Sequence, residues 1–227
     1  ANRLLNEWMW RMPGDHEEGL ALLPMFLGRR AAIRAYVDAA NAAIHDTIDE
    51  KARAYQRTAL ELMRPVSPVL RAIGGLSGSG KTTLALEQAP GIGCSPGAVV
   101  VRSDVERKRL AGIALEERMP AGGYTPEASA RVYAAMLKRA ERLLRAGHSV
   151  VLDAVFAKPE ERGAAEALGR KLAVPFHGLW LDIPKDVAQA RVAERQGDAS
   201  DATPAVVERQ FSYALGDISW ERRRSGS

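Results

Sequence analysis

Eight consecutive residues, Gly75-Leu76-Ser77-Gly78-Ser79-Gly80-Lys81-Thr82, fit the pattern G-x-x-x-x-G-K-[ST] at every fixed position. Those residue types at that spacing perform one kind of chemistry. Glycines let the backbone curl so that successive N–H groups converge on an anion, and the helix that follows turns its positive end to the same point. Lys81 can then reach β- and γ-phosphate oxygens, and the Thr82 hydroxyl can ligate magnesium. With Thr83 added, Gly75 to Thr83 form the candidate ATP-binding loop, and ATP and Mg2+ are the expected cofactors. Lysine is much rarer than arginine in this chain, which makes its presence at position 81 more telling.

Three further groups could complete a transfer reaction. Val101-Arg102-Ser103-Asp104-Val105-Glu106-Arg107 ends an apolar run with a carboxylate and, three residues on, a guanidinium. Asp104 can accept a proton from an attacking hydroxyl, while Arg107 can hold an anionic group of the substrate. The same spacing also suits a helix N-cap followed by a surface arginine, and spacing alone does not choose. Ser149-Val150-Val151-Leu152 leads into Asp153, an apolar strand closed by a carboxylate that could serve the Mg2+ shell or the acceptor hydroxyl. Arg191 and Arg195 lie one helical turn apart, ahead of the polar stretch Gln196-Gly197-Asp198-Ala199-Ser200-Asp201. Arginines on such a closing lid stabilise charge on a phosphoryl group in transfer, although two solvated arginines would look the same.

Other nucleotide-dependent machines fit less well. A GTPase needs an N-K-x-D loop to read its base, yet the only asparagines are Asn2, Asn6 and Asn41, all upstream of the glycine-rich loop. The helical lid and sensor arginines of larger ATPases need more chain after the loop than remains.

The elements that must position these groups alternate. Apolar runs at Val69–Gly74, Ala98–Arg102, Ser149–Leu152 and Phe176–Leu181 read as strands. Helical patterns follow from about Lys81, over Pro126–Ala146, and near residues 158–173, 184–195 and 204–215. This order predicts an α/β fold, with a parallel four- to five-stranded sheet and helices on both faces. Ligands of such sheets sit at the carboxyl ends of the strands, where the loop, Asp104 and Asp153 all fall.

A helical segment precedes the sheet. Residues 1–40 carry Trp8, Trp10, Leu20, Leu22, Leu23, Met25, Phe26 and Leu27, too many large apolar groups for forty residues to bury alone. They must dock on something else. Asn41 to Met63 reads as one connecting helix, which Arg64-Pro65-Val66-Ser67-Pro68 ends. The expected divisions are therefore 1–40, 41–66 and 67–227.

Composition narrows the partners. The chain has 227 residues, 46% hydrophobic, a net charge of +4 and a pI near 9.4. The charge is dispersed apart from Arg222–Arg224, which reads as a solvated tail, and aromatics are 6%. Both facts argue against a nucleic-acid partner. No apolar run approaches the ~20 residues of a membrane span. The lone Cys94 cannot form an internal disulfide and fits a reducing cytoplasm.

Taken together, Gly75–Thr83, Val101–Leu110, Val150-Val151-Leu152-Asp153-Ala154 and Asp198–Thr203 resemble a group of bacterial P-loop predicted kinases. Their kinase domain is often fused behind an aminoglycoside-phosphotransferase-like domain, and Leu4-Leu5-Asn6-Glu7-Trp8 through Asp38 resembles the last helices of that upstream domain. More distantly the chain is similar to the polynucleotide-kinase, gluconate-kinase and zeta-toxin clan. That resemblance implies an ATP-dependent kinase acting on a hydroxyl of a small-molecule acceptor. It implies Asp104 as general base, Arg107 as substrate-binding arginine, and Arg191 and Arg195 as lid arginines. The clan's acceptors are diverse, so the acceptor does not carry over. A polynucleotide 5′-kinase and an ATP-binding regulatory module for an upstream catalytic domain stay open as alternatives.

Overall fold

The structure is a computed structural model and describes residues 1–12, 16–44, 50–194 and 200–225. Five strands, β1 (Leu70–Gly75), β2 (Val99–Arg102), β3 (Val150–Asp153), β4 (Phe176–Asp182) and β5 (Glu221–Arg224), pair in the order β2-β3-β1-β4-β5, each pair parallel. The helices are α1 (Asn2–Arg11), α2 (Leu23–Ile44), α3 (Glu50–Leu62), α4 (Lys81–Gln88), α5 (Ser103–Ala111), α6 (Pro126–Arg145), α7 (Pro159–Leu172), α8 (Lys185–Glu194) and α9 (Pro204–Phe211).

Alternation along the strands divides the core in two. Leu70, Ala72, Val99, Val101, Val150 and Leu152 face one side, where Met136, Ala140 and Leu143 of α6 and Ala165 of α7 cover them. Ile73, Val100 and Val151 face the other, against Ala85 of α4. Strands buried on both faces read as continuous apolar runs, which is why β1 to β3 stand out in the sequence. The long α6 starts where its chemistry dictates: Pro126 occupies the first turn and Thr125 Oγ1 accepts the Ala128 N–H at 3.1 Å.

The sheet's two edges are closed by different means, and the first departs from the expectation. Arg222–Arg224 is no solvated tail but most of β5, paired with β4 from Leu179↔Glu221 to Asp182↔Arg224. Asp182 anchors it, accepting from Arg222 Nε at 2.9 Å and Nη2 at 2.7 Å. A charged edge strand discourages further pairing.

At the other edge, α1 covers β2 with side-chain amides. Asn6 Oδ1 accepts the Val100 N–H at 2.6 Å, Asn2 Nδ2 donates to Ala98 O at 3.0 Å, and Trp10 Nε1 donates to Val100 O at 2.8 Å. Residues 2, 6 and 10 share one helical face. Asn6→Ala should therefore destabilise the fold by about 1–3 kcal/mol, because a buried N–H loses its acceptor. Urea denaturation monitored by circular dichroism measures this, and an unchanged midpoint would mean that β2 does not need the amide.

The apolar residues of the first forty split between two environments. Met9 and Leu20 are buried against the sheet unit, whereas Phe26, Ile33 and Tyr36 on α2 are exposed. The single helix expected over Asn41–Met63 is two elements. Without a glycine or proline after Gly28, α2 runs on to Ile44, and α3 begins at Glu50 to pair with it. Residues 45–49 lie outside the described residues. Among the described residues no helix is long and apolar enough to cross a membrane.

Candidate active site

β1 delivers the chain to the glycine-rich loop. Gly75 has φ +146°, and a Cβ there would come within 2.8 Å of Leu181 O. Gly78 has φ +85° and faces α8 so closely that a Cβ would stand 2.6 Å from Ala188 O. Glycine is required at both positions. Gly80, in the left-handed conformation, caps α4, and Lys81 and Thr82 open that helix.

Thr82 Oγ1 donates to Asp153 Oδ2 at 2.6 Å. The register explains the meeting: Asp153 ends β3 between Ile73 of β1 and Arg102 of β2. Lys81 Nζ lies 3.3 Å from Leu76 O, within the loop it is meant to serve.

Asp104 and Arg107 stand across the same cavity, a cleft of about 490 Å³ that Lys81, Thr82 and Asp153 also line. Asp104 is not an N-cap, since α5 begins at Ser103 with Arg102 as its cap. Its side chain is instead half-buried in the wall of the cleft, with Ser200 beside it. Burial pushes its pKa above the usual range, with Asp153 adding to the rise and the charges of Arg102 and Lys81 opposing it. Arg107 is 9% exposed, donates to Gly123 O at 2.6 Å and lies over the Tyr124 ring at 4.8 Å. Its Nε is buried with no hydrogen-bond partner, and no carboxylate among the described residues pairs with the guanidinium.

Arg191, on α8, reaches back to the loop: its Nη1 donates to Ser225 Oγ at 2.6 Å and to Gly78 O at 3.4 Å. Arg195 lies outside the described residues, as do Gln196–Ala199 of the segment expected to move as a lid. The rest of that segment is tied down. Asp201 accepts from the Met119 N–H at 3.0 Å and from the Tyr124 hydroxyl at 3.2 Å, with Lys108 Nζ at 3.4 Å. Arg191→Ala should lower kcat by roughly 10- to 100-fold, while ATP affinity changes far less. Steady-state kinetics and calorimetry on that variant separate the two, and a near-normal kcat would leave Arg191 a support of the loop.

Several cavity residues carried no motif and escaped the sequence reading. Lys158 and Glu161 follow β3, and their position after a strand ending in the site was the available signal. Glu161 accepts the Lys158 N–H at 3.2 Å and bonds Tyr133; burial raises its carboxyl pKa and, more strongly, that of the Tyr133 phenol. Gln210 of α9 accepts the Ser77 N–H at 2.7 Å, and Arg209 beside it lines the cleft. Tyr124 is likewise pushed up, by burial and then by the charge of Asp201.

The AAA domain family AAA_33 matches residues 70–214, which contain every one of these groups except Ser225. An uncharacterized protein of Mycobacterium tuberculosis, Rv2004c, is 33% identical over 171 residues, covering 69% of this chain and 33% of the relative. The chain thus spans about a third of the length of the curated relatives it matches. Among solved structures, a presumed kinase from Chloroflexus aurantiacus shares 18% identity at a TM-score of 0.51, covering 70% of this chain and 86% of that one. A gluconokinase from Sinorhizobium meliloti gives 18% identity, coverage of 71% and 85%, and a TM-score of 0.47. At such identity the likeness concerns the fold, which is that of P-loop kinases.

Proposed function

The chain belongs to the AAA_33 family of AAA domains, and on that footing we propose that it is an ATP-dependent kinase transferring the γ-phosphoryl group to a hydroxyl of a small-molecule acceptor. One observation carries the reading. A single cleft joins a phosphate-binding end, where Thr82 meets Asp153, to an acceptor end formed by the half-buried Asp104 and the buried Arg107.

In this reading the loop amides and Lys81 hold the β- and γ-phosphates. Thr82 and Asp153 present hard oxygen donors 2.6 Å apart, which fit Mg2+, and that ion when bound neutralises charge on the phosphates. Asp104 accepts the proton of the acceptor hydroxyl as its oxygen bonds to phosphorus and ADP departs. A guanidinium as buried as that of Arg107, with which no carboxylate among the described residues forms an ion pair, favours an acceptor that carries an anionic group. Arg191 and Arg195 would close over the transfer.

The wider arrangement belongs to the same proposal: a cytoplasmic protein whose residues 67–227 perform the transfer and whose residues 41–66 connect them to residues 1–40. Those first residues would be the end of an upstream phosphotransferase-like domain.

ATP turnover with Mg2+ across sugars, sugar acids, aminoglycosides, nucleosides and oligonucleotides tests the assignment. The expected result is ADP release that depends on one class of small acceptor. Dependence on oligonucleotides alone would point to a polynucleotide kinase, and nucleotide binding without any acceptor-dependent turnover to a regulatory module.

A further inference from the structure

Asp153 has a second partner besides Thr82. Arg102, 5% exposed, places Nε 3.4 Å from Asp153 Oδ2, the oxygen that also accepts from Thr82. Arg102 is in turn covered by an aromatic ring from far upstream, with its Cζ 5.1 Å from the centre of Trp10. An aromatic face attracts a guanidinium, and by excluding water from one side it strengthens the ion pair on the other.

Trp10 is itself held from several directions. Its indole N–H donates to Val100 O on β2 at 2.8 Å, two residues before Arg102. Its carbonyl and that of Met9 accept from Arg109 Nη2 at 3.3 and 2.8 Å, and Met9 O also accepts from Arg139 at 3.1 Å. Both arginines meet Glu106 Oε1, at 2.7 and 3.3 Å. Glu106 and Arg109 belong to α5, the helix whose other side carries Asp104 and Arg107 into the cleft. Cations at the carbonyl end of α1 also suit its dipole.

We infer that Trp10 is a positioning residue of the phosphoryl-transfer site, holding Arg102 so that Arg102 keeps Asp153 Oδ2 at Thr82. The inference rests on the kinase reading above for the role of Asp153. It makes α1, which precedes the family match, part of the active site's construction. A displacement of α1 reaches the metal-binding carboxylate through two side chains.

The test compares Trp10→Leu, Trp10→Phe, Arg102→Lys and the Trp10→Leu/Arg102→Lys pair. It reads the Mg2+ concentration that half-saturates turnover, and the calorimetric affinity for AMPPNP with and without Mg2+. Leucine removes the ring, and a shift on the order of 2- to 30-fold to higher Mg2+ is expected, with metal-free nucleotide binding unchanged. Phenylalanine keeps a ring over Arg102 and should restore most of the dependence despite losing the indole bond. Arg102→Lys leaves α1 untouched, keeps the charge but not the planar guanidinium, and should shift the dependence in the same direction even if Trp10→Leu folds poorly. In the double variant the leucine should add little to the Arg102→Lys shift, because both act along one path. An unchanged Mg2+ dependence in Trp10→Leu or Arg102→Lys, or full additivity in the pair, overturns the inference. A native protein that binds no Mg2+–AMPPNP overturns the kinase reading itself, a distinguishable outcome that removes the inference with it.

Discussion

Lys81→Ala should yield a folded protein whose affinity for Mg2+–ATP is lower by roughly 10²- to 10⁴-fold. A hydrogen bond to a charged group contributes about 1.5–3 kcal/mol, and Lys81 is placed to serve two phosphates; every 1.4 kcal/mol is about tenfold. The fold should survive, because α4 docks on the sheet through Ala85, which is fully buried, and not through the half-exposed Lys81. Calorimetry of ATP with Mg2+ measures the loss, and circular dichroism checks the fold. Unchanged affinity would mean that Gly75–Thr82 turns without binding phosphate.

Asp104→Asn should leave ATP affinity intact and reduce acceptor phosphorylation by roughly 10²- to 10⁴-fold, the scale of general base catalysis. Position and charge argue for this together. Asp104 lies in the cleft one turn from Arg107, and burial raises its carboxyl pKa. A base works only when ionised, so kcat/KM in the native protein should fall as pH is lowered through a pKa above the ordinary aspartate value of about 4. Stability carries the opposite signature. The folded chain holds this proton more tightly than the unfolded one, so Asp104's contribution declines as pH rises from the unfolded value through the raised one. Asp104→Asn should remove that decline. If turnover in Asp104→Asn hardly moves, the base lies elsewhere in the cleft.

The motifs and β1 to β4 were legible because their signals are local. A glycine-rich loop has fixed spacing, and strands largely buried on both faces read as near-continuous apolar runs, interrupted here only by Arg71 in β1 and by His177 and Gly178 in β4. β5 was hidden by the same logic: Glu221-Arg222-Arg223-Arg224 has no apolar face, and its place comes from pairing with β4 and from Asp182 on that strand. The amides of Asn2 and Asn6 are spaced for one helical face, but nothing in that spacing says that the open edge of β2 lies opposite. Tyr133, Lys158, Glu161, Arg209 and Gln210 reach the cleft from three helices or their starts, a convergence that exists only after folding. The burial that raises the Asp104 carboxyl pKa is likewise a property of the assembled cleft, so spacing could not separate a base from an N-cap there.

Phosphorus NMR of the reaction mixture tests the central claim most directly. Native protein, ATP and Mg2+ are incubated with the acceptor that stimulates turnover, and all phosphorus-containing products are quantified. Transfer to a hydroxyl predicts a new phosphate monoester resonance, growing one for one with ADP and absent both without acceptor and with Lys81→Ala. ADP accompanied only by inorganic phosphate, at the same rate with and without every acceptor, would contradict it.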